Sequence, residues 1–211
     1  MMLNEFDLIQ HFFNQEPSNR KDIILGIGDD AALLQMPLGQ QLVVTTDTLV
    51  SGRHFSKNTS PTDIGYKALA VSLSDLAAMG AEPAWILLAL TLPNANEIWL
   101  RKFSDGFFPL IQRFQLQLVG GDMTQGPLTI TVQALGFVPP GKASCRIGAH
   151  AGDRIYVTGT LGDAGLALET INKGDSLGLT SSQILAVMQR LNRPEPRVEI
   201  GLALRDIASS A

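Results

Sequence analysis

The chain has 211 residues, which fits one large domain or one domain plus part of a second. It is 45% hydrophobic and 17% charged, with a formal net charge of −4 and a pI near 5.3. Without a basic stripe, a nucleic-acid backbone is excluded as an expected partner, and an anionic substrate would need a metal ion or a local arginine to offset the field.

In chain order, Met1-Met2-Leu3-Asn4-Glu5 has no basic region ahead of an apolar run, so no signal peptide is expected. Phe6, Ile9 and Phe13, with Phe12 beside them, predict a short amphipathic helix over 5–13. Ile23–Leu25 reads as a strand running into the turn Gly26-Ile27-Gly28-Asp29-Asp30, and 31–36 returns as a strand to the turn Pro37-Leu38-Gly39-Gln40. The β-branched run 41–46 predicts a strand ending at Asp47, followed by a loop over 48–60 that holds Gly52, Arg53 and His54. A helix is expected over 62–79, capped by Ser60 or Thr62 and stopped by Gly80 and Pro83. A strand over 85–92 and a turn at Pro93-Asn94 lead to a long helix over 97–114. Its aromatic stripe (Trp99, Phe103, Phe107, Phe114) reads as core. Residues 117–119 run into a Gly120-Gly121-Asp122 turn, and 128–138 form a strand. No apolar run approaches the ~20 residues of a membrane helix.

Pro139-Pro140-Gly141-Lys142 marks a composition break. The expected organisation is a first domain over 1–138, a linker over 139–150 and the start of a second domain over 151–211. Cys145 is the single cysteine, which excludes an internal disulfide framework and fits a reducing cytoplasm. Beyond the linker we expect a strand over 155–158, a turn at 159–163, helices over 164–171, 182–191 and 198–207, and a loop over 174–178. One strand and three helices make a thin core, so the second domain reads as incomplete. The fold class is α/β (α+β).

The chemistry concentrates on aspartates. Asp29 and Asp30 are adjacent carboxylates in a glycine-rich turn, and neighbouring carboxylates repel unless a positive charge sits with them. A hard divalent cation is one answer, since Mg²⁺ is held by one or two carboxylates plus substrate phosphates. A solvated turn is the other reading. The pattern of Asp among small residues returns at Thr45-Thr46-Asp47-Thr48, Ser72-Leu73-Ser74-Asp75 and Gly120-Gly121-Asp122. Asp47 alone could simply end a strand, and Gly120-Gly121-Asp122 alone could be a tight turn. Asp75 lies on a helix poor in other charges, where a buried carboxylate is costly unless paired or metal-bound; the competing reading points it to solvent. Four such sites together argue for an acidic metal–phosphate centre. His54 reads as a surface histidine. Arg146 reads either as a surface charge or as the cation that grips a phosphate bidentately.

Gly26-x-Gly28-x-x-Ala31 formally matches a dinucleotide fingerprint, with Asp47 near the distance of a ribose-binding acid. The fingerprint must open a long helix, and here a strand and turn follow, so this reading is rejected. No G-x-x-x-x-G-K-[ST] loop is present.

GIGDDAALL, TTDTLVSGRHF, YKALAVSLSDLAAMGAEPAW, LVGGDMTQGPL and GDRIYVTGTLGDAGLAL occur in this order. On these motifs the chain resembles the thiamine-monophosphate kinase family, within the superfamily of aminoimidazole ribonucleotide synthetase and selenophosphate synthetase. The resemblance implies a cytoplasmic homodimer joined through its N-terminal sheets into a barrel-like core. It implies ATP bound between domains and phosphorylation of thiamine monophosphate to the diphosphate with several Mg²⁺ ions. Carried over by motif, Asp30, Thr45, Thr46, Asp47, Asp75 and Asp122 are expected metal ligands. Gly121, Asp122 and Arg146 are expected ATP contacts, and His54 is an expected contact to thiamine monophosphate. No general base is expected, because the acceptor phosphate is already ionised with its second pKa at ~6. The resemblance further implies a second aspartate motif beyond Ala211. The alternatives are a Mg-nucleotide-binding dimer without catalysis, or another ATP-dependent member of the superfamily.

Overall fold

The computed structural model describes residues 5–14, 20–173 and 177–211. Helix α1 (Glu5–Phe12) precedes a small hairpin, β1 (Ile23–Leu25) with β2 (Leu33–Leu34). Then come β3 (Gln41–Val50), α2 (Pro61–Ala78), β4 (Glu82–Leu92), α3 (Glu97–Arg113), β5 (Gln117–Gln125) and β6 (Thr129–Val138). Helices α4 (Asp163–Lys173), α5 (Ser181–Asn192) and α6 (Val198–Leu204) follow. The strand order is β3-β6-β4-β5, with β4 and β5 parallel across the α3 crossover and the other pairs antiparallel.

Alternation along the strands makes two unlike faces. Ile86, Leu88, Leu90, Ile130, Val132 and Ala134 face α2 and α3 and form the main core with Leu69, Leu73, Leu76, Phe103 and Phe107. The opposite face is covered at one end only, where Trp85, Leu135 and Phe137 meet Ile23, Leu34 and Met36 of the hairpin. The hairpin is pinned there by polar contacts. Arg20 forks onto Asp22, and the Trp85 indole N–H donates to the same carboxylate at 3.3 Å. Burial pushes the Asp22 carboxyl up, but the Arg20 bonds and charge with the Trp85 donor outweigh it and leave it below the usual range. Elsewhere this face is open: Leu42 is 44% and Val44 50% exposed.

Helices α2 and α3 pack with unusually close backbones, and two glycines make room. A Cβ at Gly106 would lie 1.8 Å from the Thr62 carbonyl oxygen, and one at Gly65 2.2 Å from that of Phe103. Gly106→Ala is therefore expected to cost about 1–3 kcal/mol or more, read as a lower urea midpoint. A midpoint equal to wild type would mean that the helices separate freely. α2 begins at an Ser60 cap, whose side chain accepts the Asp63 N–H, with Pro61 in the first turn.

Four expectations are corrected. β3 does not end at Asp47: Thr48, Leu49 and Val50 continue it, paired with Thr131, Ile130 and Thr129, so Asp47 lies inside the strand and the loop spans only 51–60. Gly120-Gly121-Asp122 is not a turn but the middle of β5, following a register shift against β4 at Ile86/Leu87. The returning strand after Asp30 is only Leu33–Leu34. Residues 155–158 form no strand; Ile155, Tyr156 and Val157 are 98%, 81% and 57% exposed. A strand needs a neighbour to take its N–H and C=O groups, and among the described residues no strand lies beside this segment. The remaining elements match within a few residues at their ends, and a strand, not a helix, follows the Gly26–Ala31 segment. The 174–178 loop falls partly outside the described residues, as does the side chain of Phe6.

Segments after β6 return to the first helices. Arg193 pairs with Asp63, Arg113 with Glu195 at 2.7 Å, and Arg205 donates to the Gly80 carbonyl. A Cβ at Gly201 of α6 would lie 2.0 Å from the Ala77 carbonyl oxygen of α2. Among the described residues no helix is long and apolar enough to cross a membrane.

Candidate functional site

Strand β3 and helix α2 build one cluster. Odd-numbered β3 residues face α2, which puts Thr45 and Asp47 against it. Thr45 Oγ1 donates to Asp75 Oδ2 at 2.6 Å, and Ser72 Oγ donates to Asp47 Oδ2 at 3.1 Å. Ser72 and Asp75 are three residues apart and so share a helix face. Ser72 is fully buried, whereas Asp75 is exposed, so of the two readings of Asp75 the solvent-facing one holds, because the apolar stripe runs through 69, 73 and 76 beside it.

Burial, and then the charge of Asp75, raise the Asp47 carboxyl above its ordinary value, against the lowering bond from Ser72. No cation is among these influences, and among the described residues no ion pair involves Asp47 or Asp75. Two close carboxylates with only hydroxyl partners form an all-oxygen donor set of the type a hard divalent cation takes. The residues present therefore fit Mg²⁺.

The other expected ligands lie apart. Asp122 pairs with Ala89, Ala89 with Thr131, and Thr131 with Thr48, so these four form one row across the sheet. Thr48 and Thr131 touch through their hydroxyls at 2.9 Å on the open face, and Asp122 shares that face. Asp47 faces α2 on the opposite side, at the far edge, three strand spacings or about 14 Å away. Thr46 also faces the open side, where its hydroxyl accepts from Gln133 Nε2 at 3.2 Å. Asp30 sits exposed in the hairpin turn, its N–H bonded to Asp29 Oδ1 at 2.8 Å. Among the described residues no three acidic, histidine or cysteine side chains converge within one chain.

Gly121 faces the helices, where a Cβ would lie 1.9 Å from the Leu88 carbonyl oxygen, so close packing of β5 on β4 already requires glycine. Arg146 is exposed, and its carbonyl accepts from Ser210. A cavity of about 310 Å³ opens between α2 and α6, lined by Ser74, Ser144, Thr158 and Arg197. His54 is exposed beyond the end of β3. Sequence reasoning missed Ser72, though its place one helical turn before Asp75 was a usable signal. It also missed Lys67, whose Nζ donates to the His54 carbonyl at 3.0 Å.

A half-open mixed sheet under two helices, with two carboxylates close together where β3 meets α2, defines an α/β protein with an acidic candidate site. Residues 28–138 match the family model described as AIR synthase related protein, N-terminal domain, and the chain belongs to that family. It is 50% identical over 211 residues to a thiamine-monophosphate kinase of Escherichia coli strain K12, covering 100% of this chain and 65% of that protein. The crystal structure of thiamine-monophosphate kinase from Stenotrophomonas maltophilia K279a is 52% identical with a TM-score of 0.85, over 91% of this chain and 62% of that one. A structure described as AaThiL complexed with AMPPCP and TMP is 32% identical with a TM-score of 0.73, over 87% of this chain and 59% of that one. The chain thus spans about 65% of the length of the curated relatives it matches.

Proposed function

We propose that this chain belongs to a kinase that transfers the γ-phosphoryl group of ATP to thiamine monophosphate. The observation that carries the reading is 50% identity along all 211 residues to a thiamine-monophosphate kinase, combined with the Thr45–Asp75 and Ser72–Asp47 contacts. The neighbour described with AMPPCP and TMP supports both ligands.

Asp47 and Asp75, with the Thr45 hydroxyl, would hold Mg²⁺, which when bound neutralises charge on the phosphates; Thr46, whose side chain faces the open side, could add only a backbone oxygen. The acceptor phosphate and the γ-phosphate are both anionic and repel unless held, so the protein's task is positioning more than proton transfer. Ser72 fixes the rotamer of Asp47, and Thr45 that of Asp75. Arg146 is assigned to ATP and His54 to the acceptor.

Asp30 and Asp122 join this set through a second copy of the chain. β3 and β5 are the two free edges of the four-stranded sheet. A two-fold axis that pairs each β3 with the partner's β5 closes an eight-stranded barrel and removes both edges. It buries the exposed Leu42 and Val44 and brings the edge that carries Asp122 to the edge that carries Asp47. The homodimer expected from the motifs is the form in which these two edges would meet.

The test is a single-turnover assay of the full-length protein with γ-labelled ATP, Mg²⁺ and thiamine monophosphate. Labelled thiamine diphosphate is expected. ATP binding without label in the product would replace the kinase by a nucleotide-binding dimer.

A further inference from the structure

His54 is held at both ends. Its Nδ1 accepts the backbone N–H of Val50 at 3.0 Å, so the ring proton lies on Nε2 and the exposed ring offers a donor. Its own N–H donates to the Val50 carbonyl at 2.9 Å, and Gly52 N–H donates to the Phe55 carbonyl at 2.8 Å, closing the turn over a buried Phe55. The His54 carbonyl is then taken by Lys67 Nζ at 3.0 Å. Phe55 anchors the far side of this turn in the core, so the lysine supplies the contact from α2.

Lys67 is an unusual lysine. It is half-buried, and burial alone pushes its pKa down. Among the described residues no carboxylate pairs with it. Its ammonium is neither left wholly in water nor paired with an acid among the described residues. It is committed to a single carbonyl in the turn that carries the candidate substrate contact. Residues 67, 71 and 75 share a stripe of α2, which puts Lys67 about 12 Å along the axis from Asp75. That separation keeps the ammonium out of the carboxylate cluster, where it would compete with divalent cations.

We propose that Lys67 is a positioning residue for the acceptor substrate: it locks the His54 turn so that the Nε2–H donor meets an oxygen of the acceptor's phosphate monoester. The proposal deepens the reading of His54 as a substrate contact and rests on it. Lys67 acts through His54, so its loss should weaken acceptor binding and leave ATP alone.

The experiment compares wild type, Lys67→Met, Lys67→Arg and His54→Ala in the full-length protein, with thiamine monophosphate and ATP varied separately. Lys67→Met is expected to raise KM for thiamine monophosphate about tenfold, with KM for ATP within about twofold. Lys67→Arg, which keeps a cationic donor and guards against simple misfolding, should recover most of the loss. A second readout needs no substrate: ¹⁵N signals of the His54 ring should report the Nε2–H tautomer in wild type and an averaged ring in Lys67→Met. A raised acceptor KM in His54→Ala but not in Lys67→Met overturns the role of Lys67 alone. An averaged ring in Lys67→Met with acceptor KM unmoved in both variants overturns the substrate reading of His54, and the proposal with it.

Discussion

Asp47→Asn in the full-length protein should lower kcat by about 10²-fold or more, the range seen when one electrostatic group facing developing charge is removed. The same change should make the metal-free protein more stable. Burial and the neighbouring Asp75 raise the Asp47 carboxyl in the folded state above its ordinary 3.8. The folded protein therefore holds this proton more tightly than the unfolded chain does. The resulting stability is present in acid, below the unfolded pKa, and is lost as pH rises through the folded value. Near neutral pH the ionised carboxylate is a cost to the metal-free fold, whereas asparagine keeps a carbonyl oxygen for the Ser72 hydroxyl and carries no charge. Urea midpoints without divalent cations should thus be higher for Asp47→Asn near neutral pH, with the gap closing below about pH 4. Added Mg²⁺ should raise the wild-type midpoint more than that of the variant. Near-wild-type turnover in Asp47→Asn would end the metal assignment. A variant inactive but also less stable would recast Asp47 as a structural partner of Ser72.

This combination of lost activity and gained stability is what a site built for a charge the protein does not itself supply should show. It also separates Asp47 from Asp22. Both are partly buried aspartates, but Asp22 carries its own cation in Arg20 and lies below the usual range, whereas Asp47 lies above it. Asp22 ties the hairpin to the sheet. Asp47 is left unmatched beside a second acid.

What could be read from the sequence follows from which interactions are local. Helix α2 was legible because its signals are adjacent: Ser60 as cap, Pro61 in the first turn, Gly80 past the end. Of the motif residues, Thr45, Asp47 and Asp75 meet where β3 joins α2, whereas Asp30, Thr46 and Asp122 lie apart within the chain. The length of β3 was not, because Thr48 to Val50 are held by Thr129 to Thr131, more than seventy residues away in the chain. Gly121 looked like a turn glycine because glycine serves turns and close backbone contacts equally well, and only the Leu88 carbonyl decides between them. Residues 155–158 have strand composition, yet composition cannot supply a neighbour. The separation of Asp122 from Asp47 was the least legible feature. It depends on the strand order β3-β6-β4-β5, which no local pattern encodes.

That separation can be tested with hybrid dimers. If each site takes Asp47 from one chain and Asp122 from the other, Asp47→Asn and Asp122→Asn homodimers should both be inactive, since every site in them is damaged. Mixing the two variants under conditions that exchange subunits makes hybrid dimers. In a hybrid one site receives both substitutions, and the other receives neither. With random exchange half the dimers are hybrids, each with one intact site, so activity should return to about a quarter of the wild-type level. A site made within a single chain gives a different result, because each chain of the hybrid still carries one damaged ligand and no activity returns. The geometry favours recovery: Asp122 lies on the open face of one edge strand and Asp47 on the helix face of the other, about 14 Å apart across the sheet. No side-chain rotation spans three strands, whereas a two-fold axis that joins the edges brings the two strands side by side, with Asp122 and Asp47 still on opposite faces of the joined sheet. A mixture that stays inactive while hybrids are shown to form, for example by differential tagging, would place the whole metal set in one chain and require β5 to move.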